Sequence, residues 1–386
     1  MEERKPAPTP GKSAAGPAAQ KPRDEGNQYL MASQAQLVWW KFRKHKLALV
    51  SAVILIIIYT IALFVEPLAP YLPDATSSIR TYAPPQRVHF VRDGKFVGPF
   101  VYALRQEIEP IALRRIFTSD LTNPVAIGFF VRGVPYKLWG QFKSDIHLVG
   151  PVDKGQTVLL LGADRVGRDV LTRLIYGTRI SMSIGLIGVA FSFVLGILLG
   201  GVSGYFGGSV DNVIQRIIEF VRSIPTIPLW MGLAAAVPSS WPSERIYFSI
   251  TIIISLIGWT GLARVVRGRF LSLREDDFVL AARLDGVSEF RIITRHMVPL
   301  MTSHIIAAIT LAIPGMILAE TALSFLGLGL QPPVVSWGVL LQEAQNIRAV
   351  ATAPWLLTPA LAVMLTVLTL NFVGDGLRDA ADPYGR

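Results

Sequence analysis

Long apolar blocks dominate this chain of 386 residues and restrict it to folds that a lipid bilayer can accommodate. A helix of about 20 apolar residues crosses the hydrocarbon core of a membrane. Six blocks of about that length are present, at residues 47–65, 179–201, 213–236, 247–263, 305–325 and 355–373. Charged residues make up only 17% of the chain, against about 25% in soluble domains. The sequence therefore predicts an all-α polytopic membrane protein with six transmembrane helices.

The distribution of basic residues predicts which loops face the cytosol. The loop at 264–300, between the fourth and fifth predicted spans, contains seven arginines: Arg264, Arg267, Arg269, Arg274, Arg283, Arg291 and Arg295. Short loops rich in Lys and Arg stay on the cytoplasmic side. With this loop inside, six spans place both termini in the cytosol. We assign the net charge of +10 to such loops, and we expect no nucleic-acid partner because no basic patch alternates with stacking aromatics.

The segments before the first span differ in composition from the rest of the chain. Residues 1–36 are rich in Pro, Ala, Gly and Lys, with few large apolar side chains, so we predict a disordered cytosolic tail. Residues 37–66 combine Trp39 and Trp40 with a run of Lys and Arg ahead of the first span, a pattern typical of an interfacial anchor. Residues 178–386 contain the other five spans and form the predicted core domain.

Residues 67–177 are too long for a simple loop, and we predict a small α+β domain on the extracytoplasmic side, between the first and second helices. Residues 88–97 have the pattern of a β-hairpin with a two-residue Asp93-Gly94 turn. Residues 125–131 and 134–139 form a second candidate pair around Arg132-Gly133. The segment at 102–117 is predicted to be helical or irregular. We expect this domain either to cap the external mouth and contact a binding protein, or to act as a packed spacer.

Two features inside the predicted spans are candidates for a gate or hinge. Pro225 and Pro228 interrupt the third span, where freed carbonyls must be satisfied by protein or by a water-lined cavity. They predict either a hinge that lines the pore or a static kink. Glu320 is the carboxylate placed deep in a span, which makes it a functional candidate by default. Because it lies close to the irregular turn at 327–329, we favour capping of that turn over contact with a substrate.

The chain offers no pattern of residues for catalysis or metal binding. It contains no cysteine, and its His, Asp and Glu residues do not follow the spacing of metal ligands. No Ser, His and Asp can be placed together on one face. The sequence therefore predicts no catalytic residue, no cofactor-binding residue and no metal ligand.

The loop at 264–300 has the pattern of two short helices joined by a turn. The first candidate helix covers about 274–284 and contains Ala281 and Ala282, which offer a close-packing surface. The second starts at Ser288, a suitable N-cap. Gly286 lies between them and suits a left-handed turn, and Pro299 marks the start of the next apolar run. Such a patterned loop predicts that another protein docks on it.

This pattern resembles the EAA loop of ATP-binding-cassette importer permeases, the helix pair that inserts into a groove of the ATPase subunit. Four positions match the family spacing: Ala281, Ala282, Gly286 and Pro299. Three positions depart from it: Leu280 replaces the usual Glu, His296 the usual Ile, and Val298 the usual Leu. The missing Glu puts the usual ionic contact with the ATPase in question, whereas the positions that shape the backbone are kept.

Further motifs resemble the peptide/nickel (Opp/Dpp) branch of this family. Residues 161–181 are similar to its Gly-Thr-Asp-x-x-Gly-Arg-Asp run, with Ala163 in place of Thr. Six more strings follow in the order of the C-type permease subunit, at 204–208, 320–329, 331–333, 336–338, 353–355 and 374–379. The resemblance covers residues 39–65 and 161–383, which is most of the chain.

The resemblance implies the fold, the function and the partners. It implies the ABC importer permease fold in a bacterial inner membrane, and a permease subunit that forms half of the path in an ATP-driven, binding-protein-dependent importer of di- or oligopeptides. The implied partners are a paralogous B-type permease, two ABC ATPase subunits, an extracytoplasmic solute-binding protein and membrane lipid. ATP and Mg would bind to the ATPase subunits, so this chain would be neither an enzyme nor a cofactor carrier. The implied coupling residues are Ala281, Ala282, Arg283, Gly286, Arg291 and Pro299.

Three alternatives stay open at this point. The same architecture could carry nickel or oligosaccharides. An ion-driven carrier or channel would require paired charges at mid-membrane or matching broken helices, and neither is evident in the sequence. A membrane-bound enzyme would have its site in the external domain, where His89 and His147 are the only histidines.

Overall fold

The structure is a computed structural model that describes residues 34–110, 115–238 and 240–381. The predicted disordered tail falls outside these residues except at its end, where residues 34–36 begin helix α1 (Gln34–Lys44). Helix α2 (Lys46–Leu63) follows after His45, whose Nδ1 accepts a hydrogen bond from the Ala48 amide. The short α3 (Val65–Leu68) then leads into the insert.

Five helices in the described part of the chain are long and apolar enough to cross a membrane. They are α2, α4 (Val170–Phe206), α7 (Ser243–Leu273), α10 (Thr302–Phe325) and α13 (Thr358–Ala381). Their shared core is built from fully buried apolar side chains, among them Met182, Ile254, Ile317 and Leu323. The five helices agree with five of the six predicted spans, although α4 begins nine residues earlier than predicted.

The third predicted span is not one continuous helix. Helix α5 (Gly208–Ser223) and helix α6 (Thr226–Ala235) meet at an angle of 87°. Pro225 has no amide hydrogen to donate and forces Ile224, the residue before it, into an extended conformation with φ −88° and ψ 130°. Pro228 lies in the first turn of α6, where a proline is tolerated. The predicted break at Pro225 is therefore confirmed, and the described part of the chain has five long apolar helices plus this bent pair.

Glycines let α4 approach α7 closely. A Cβ atom on Gly200 would lie 2.5 Å from the Ala263 carbonyl oxygen, and one on Gly204 would lie 2.7 Å from the Arg267 carbonyl oxygen. Backbones can approach this closely because the α4 residue of each pair is a glycine and has no side chain. The pair is closed at one end by Asp211 of α5, which accepts two hydrogen bonds of 2.5 Å from Arg267 and one from Ser203.

Gly200→Ala should weaken the α4–α7 contact, because its Cβ meets backbone atoms that cannot move aside. We expect the free energy of unfolding to fall by about 1–3 kcal/mol, the usual cost of overpacking a core. Gly268→Ala on α7 is the matched control, since nothing lies within 4 Å of its Cβ position. That variant should be neutral or slightly stabilising. The measurement is the thermal midpoint of the purified protein in detergent, and equal midpoints for both variants would contradict the close contact.

The insert contains a four-stranded antiparallel sheet in the order β1 (His89–Arg92), β2 (Lys95–Ile108), β3 (Arg115–Leu138) and β4 (Phe142–Pro151). The Asp93-Gly94 turn is confirmed, because Arg92 pairs with Lys95 and both turn residues have positive φ. The helical or irregular segment predicted at 102–117 is wrong in its described part. Leu104 pairs with Ser119 and Gln106 with Phe117. Cross-strand pairing overrides the helical propensity of Ala, Leu, Arg, Gln and Glu there.

The second predicted hairpin is also wrong, since Arg132-Gly133 lies within the continuous strand β3. The turn falls instead at Trp139 and Gly140, with φ of 51° and 74°. Gly133 is needed for a different reason: a Cβ there would lie 2.6 Å from Cδ2 of the buried His147 ring. A glycine within a strand often marks such a close approach. In the described residues of the insert, the helical pieces ahead of α4 are the end of α3 and a three-residue 3₁₀ turn (Ser78–Arg80), so its fold is β rather than α+β.

The remaining elements lie between the spans. After α7 come α8 (Asp277–Leu284), α9 (Glu289–Arg291), a π-turn (Ile292–Met297) and a 3₁₀ turn (Val298–Met301). Between α10 and α13 lie α11 (Trp337–Gln342) and α12 (Ile347–Thr352), with short 3₁₀ turns at Glu343–Gln345 and Pro354–Leu357.

Candidate functional site

The turn between α8 and α9 is closed by two backbone hydrogen bonds around Gly286. The Val287 amide donates to the Ala282 carbonyl at 3.1 Å, and the Gly286 amide donates to the Arg283 carbonyl at 3.0 Å. Gly286 has φ +72°. This is a Schellman motif, in which the residue after the helix adopts the left-handed conformation that glycine tolerates best. The predicted helix–turn–helix is therefore present, with its first helix starting at Asp277 rather than at 274.

One face of this helix pair packs against its own membrane domain. Val279 and Ala282 of α8 are buried together with Ile292 and Met297 of the π-turn and Phe270 of α7. This cluster is a small packed core between the helix pair and the membrane domain. The helix pair is therefore packed directly onto α7.

Arg283 adds a second connection, to α4. Its Nε donates to the hydroxyl oxygen of Tyr205 at 3.0 Å, and its guanidinium carbon lies 4.6 Å from the centre of that ring. A guanidinium over an aromatic face gains a cation–π attraction. Of the six predicted coupling residues, Ala282 packs in the buried cluster and Arg283 binds Tyr205. The other four are exposed to solvent: Ala281, Gly286, Arg291 and Pro299.

The opposite face of the helix pair is apolar and open to solvent. Leu280 and Leu284 lie one turn apart on α8, and Leu284 is 89% exposed. Phe290 on α9 is 68% exposed. The sequence interpretation missed Leu284 and Phe290, although both are large apolar residues in the most polar loop of the chain. Leu280, which occupies the usual Glu position, extends the same apolar surface.

Glu320 is fully buried and accepts hydrogen bonds from serines of three segments. Ser324 Oγ donates to its Oε1 at 2.8 Å and Ser336 Oγ donates to the same oxygen at 2.6 Å. Ser181 Oγ of α4 lies 3.5 Å from Oε2. Pro225 and Pro228 are not among its partners. The two candidate gate features therefore belong to different parts of the structure.

The same serines organise the backbone that follows α10. Ser324 Oγ accepts from the Leu330 amide at 2.9 Å, Ser181 Oγ from the Trp337 amide at 3.1 Å, and Ser336 Oγ from the Val339 amide at 3.2 Å. Glu320 thus fixes the turn after α10 and the start of α11 against α4. This geometry gives the carboxylate a structural role.

The motif at 161–181 folds as a polar knot ahead of α4. Asp164 accepts from Arg168 Nε at 2.7 Å and from Arg173 at 2.6 Å. Asp169 caps α4 by accepting from the Thr172 amide at 2.8 Å, and its burial raises the pKa of this carboxyl to about 6. These contacts hold the loop in place. Within residues 34–110, 115–238 and 240–381, no group of three or more His, Asp and Glu side chains could hold a metal ion.

Comparison with known protein families agrees with this architecture. The family model described as binding-protein-dependent transport system inner membrane component matches residues 192–384. The chain belongs to this family of membrane components of binding-protein-dependent transporters. A second model, the N-terminal transmembrane domain of oligopeptide transport permease C, matches residues 33–85. The chain is accordingly a C-type permease of the peptide/nickel branch, a multi-pass inner-membrane subunit whose family implies binding-protein and ATPase partners.

Curated relatives are similar over more than half of this chain. The dipeptide transport system permease protein DppC of Bacillus subtilis is 38% identical over 58% of this chain and 68% of the relative. The oligopeptide transport system permease protein OppC of Haemophilus influenzae is 41% identical over 58% and 70%. DppC of Alkalihalophilus pseudofirmus is 38% identical over 74% and 90%. Among solved structures, the inward-facing MetNI methionine ABC transporter aligns with 18% identity and a TM-score of 0.44, covering 55% of this chain and 97% of the other.

Proposed function

We propose that this chain is one of two non-identical permease subunits of an ATP-driven importer and forms half of its translocation path. The observation that carries the proposal is the exposed apolar face of α8 and α9, mounted on the Gly286 turn and packed firmly onto α7 and α4. Such a surface, small and apolar on an otherwise polar loop, suits a docking site for another protein. Two ATPase subunits on this side would bind ATP and Mg, and this chain would bind neither.

Di- and oligopeptides are the proposed cargo. Relatives at 38–41% identity are named dipeptide and oligopeptide permeases, which supports this class over the alternatives. Nickel or oligosaccharides are the runner-up cargo for the same architecture. A metal cargo would gain support from acidic or histidine clusters, and the described residues offer none.

The topology we propose places the insert outside and the Gly286 loop in the cytosol, with both termini cytosolic. Contacts along α4 support the crossing of the bent pair. Ser183 Oγ, in the first half of α4, accepts from the Tyr247 hydroxyl near the start of α7 at 2.9 Å, while Ser203 near the end of α4 donates to Asp211 of α5. The starts of α5 and α7 therefore lie about 30 Å apart along α4, which supports a bent pair α5–α6 that returns the chain across the membrane. A solute-binding protein would then meet the external side.

Coupling would work through the helix pair as a rigid connector. ATP binding would move the docked ATPase subunits, and the buried cluster around Val279 and the Arg283–Tyr205 contact would pass that movement to α7 and α4. The connector must bind the two ATPase states with different affinity, since equal affinity shifts no equilibrium. The spans would then alternate between inward-facing and outward-facing arrangements.

Leu284→Asp should separate the chain from its ATPase partners. A charge in the centre of an apolar interface is costly unless it is paired, so we expect at least about a tenfold loss of ATPase recovery. Leu121→Asp is the matched control. Leu121 is also a leucine exposed to solvent, but it lies on the insert. The measurement is co-purification of Walker-motif ATPases with the tagged chain in mild detergent. Full recovery with Leu284→Asp would contradict the proposed docking face.

The function itself is tested by uptake. Cells that lack this chain should lose ATP-dependent accumulation of labelled di- and oligopeptides and regain it with the intact protein. The intact chain should co-purify with a second permease and with ATPases. Unchanged peptide uptake together with lost nickel uptake would favour the runner-up cargo. A homo-oligomer without ATPases would overturn the importer.

A further inference from the structure

The tip of the β3–β4 hairpin is tied to the end of the first spanning helix. Trp139 Nε1 donates to the Leu63 carbonyl at 2.8 Å, and the Trp139 ring lies 5.7 Å from that of Phe64. Leu63 is the last residue of α2, which has 18 residues and is therefore about 27 Å long. A hydrocarbon core of about 30 Å leaves both ends of this helix at the membrane boundary. The hairpin tip is thus held at headgroup level.

A second contact fixes the same depth. Arg179 of α4 donates to the carbonyls of Ala62 and Leu63, each at 2.9 Å, and forms a two-pronged ion pair with Glu66 at 2.7 and 2.8 Å. Burial acts to raise the pKa of Glu66, but the hydrogen bonds and positive charge of Arg179, together with backbone hydrogen bonds, outweigh burial and lower the pKa. The carboxylate and the guanidinium form a pair without net charge. The hairpin tip is therefore attached to the end of α2, at a depth that is also fixed by the contact between α2 and α4.

The side chains of the tip have the chemistry of a membrane interface. Trp139 is 47% exposed and Phe142 is 61% exposed. Tryptophan and other amphipathic aromatics concentrate where a bilayer meets water. The aromatic rings can enter the headgroup region while the polar turn at Gly140 and Gln141 stays hydrated.

Two lysines lie next to these aromatics and face each other. Lys137 and Lys143 are direct cross-strand partners in the β3–β4 ladder. Like charges directly opposite on paired strands destabilise the sheet. Neither lysine forms an ion pair with a carboxylate in the described part of the chain, and Glu66 is already bound to Arg179. An external anion between the lysines would remove their repulsion.

A groove of about 540 Å³ opens beside the two lysines. Its lining is mostly apolar and includes Leu72, Pro73 and Tyr176. Once Glu66 is counted together with Arg179 as a pair without net charge, the other charged residues that line the groove are the two lysines. An apolar groove with a cationic edge at headgroup depth is complementary to a phospholipid that carries a negative charge.

We propose that residues 137–143 form an anchor that binds anionic phospholipid headgroups and holds the insert against the membrane surface. The aromatic side chains hold the tip at the depth of the headgroups. The lysine pair makes the anchor prefer negatively charged headgroups. This role concerns lipid rather than cargo, and it holds whichever solute the importer carries.

The depth of the tip is tested with a fluorophore on a single cysteine. The chain contains no cysteine, so Gln141→Cys gives one labelled site on the full-length protein. Lys95→Cys, at the other hairpin of the insert, is the control. Both proteins are placed in nanodiscs of phosphatidylcholine and phosphatidylglycerol that contain lipids with a nitroxide on the headgroup. We expect strong quenching at 141 and little at 95.

The charge preference is tested with a double variant, Lys137→Gln with Lys143→Gln. Lipid that co-purifies from nanodiscs of mixed composition should be enriched in phosphatidylglycerol around the unmodified protein. The double variant should lose this enrichment by about fivefold for each lysine. Lys95→Gln should keep it, because it removes a charge from the insert far from the tip in the sheet.

Three results would overturn the proposal. Equal quenching at 141 and 95 would show that the tip does not reach the headgroups. A double variant with full phosphatidylglycerol enrichment would remove the role of the lysines. A label at 141 that is shielded from both lipid nitroxide and an aqueous quencher would mean that a partner subunit, not lipid, covers the tip.

Discussion

Gly286→Val is expected to lower ATP-dependent uptake by at least about tenfold while the protein still inserts into the membrane. Gly286 has φ +72°, and a left-handed conformation costs an L-residue about 1–2 kcal/mol, with β-branched side chains the worst case. Nothing lies within 4 Å of its Cβ position, so the variant does not clash with this chain. The strain instead opens the Schellman turn and changes the angle between α8 and α9. The measurement is peptide uptake, normalised to the amount of chain in the membrane.

Gly286→Asn is the matched control for this experiment. Asparagine is similar in size to valine but tolerates the left-handed region, so it should retain most of the uptake. Loss of activity in both variants would indicate contact of this position with a partner rather than backbone strain. Normal uptake by Gly286→Val would contradict the role of the helix pair as connector.

Glu320→Leu should destabilise the protein strongly, because leucine cannot accept a hydrogen bond. Ser324 and Ser336 would each lose their acceptor while staying buried. An unsatisfied buried polar group costs about 1–3 kcal/mol, so the loss of both acceptors in a chain of this length should lower the thermal midpoint by roughly 2–7 °C. The measurement is thermal unfolding of the purified protein in detergent.

Glu320→Gln separates the structural role from a role in transport. The amide oxygen of glutamine still accepts from a serine, so this variant should be close to the unmodified protein in both stability and uptake. If Glu320 contacts cargo instead, Glu320→Leu would lose uptake without a change in midpoint, and the structural assignment would be wrong.

Features that depend on neighbouring residues could be predicted from the sequence. Apolar runs of span length indicated the five long helices. Asp93-Gly94 and Gly286 were placed correctly because a positive φ is a local demand that few residues meet. Pro225 indicated the break in the third span, since its missing amide hydrogen is a property of that residue alone. The 87° angle at this break depends on packing and could not be predicted.

Features that depend on residues far apart in the chain could not be predicted from the sequence. Residues 104–106 have helical propensity, and only their pairing with residues 117–119 makes them a strand. Gly133 resembled a turn residue. A glycine is needed there because the ring of His147, on the next strand, leaves no room for a side chain. The partners of Glu320 are likewise remote, because Ser181 precedes it by 139 residues.

The candidate coupling site was predicted in part. Ala281, Ala282 and Gly286 were identified by spacing, and the turn is where the spacing predicted it. Which residues face outward depends on the packing of Val279 and Met297 against Phe270, and this is why Leu284 and Phe290 were missed. An amphipathic analysis of eight residues is too short to distinguish the two faces.

Helix α4 has 37 residues, so it is about 55 Å long and extends beyond the bilayer on both sides. Its last turns contact the coupling helices through Tyr205, and its first turn is held by the polar knot through Arg173. Helix α7 packs along α4 from Ser183 to Gly204. A displacement of Tyr205 would therefore be carried by α4 and α7 together. The polar knot at the opposite end of α4 would then move with the coupling helices as one piece.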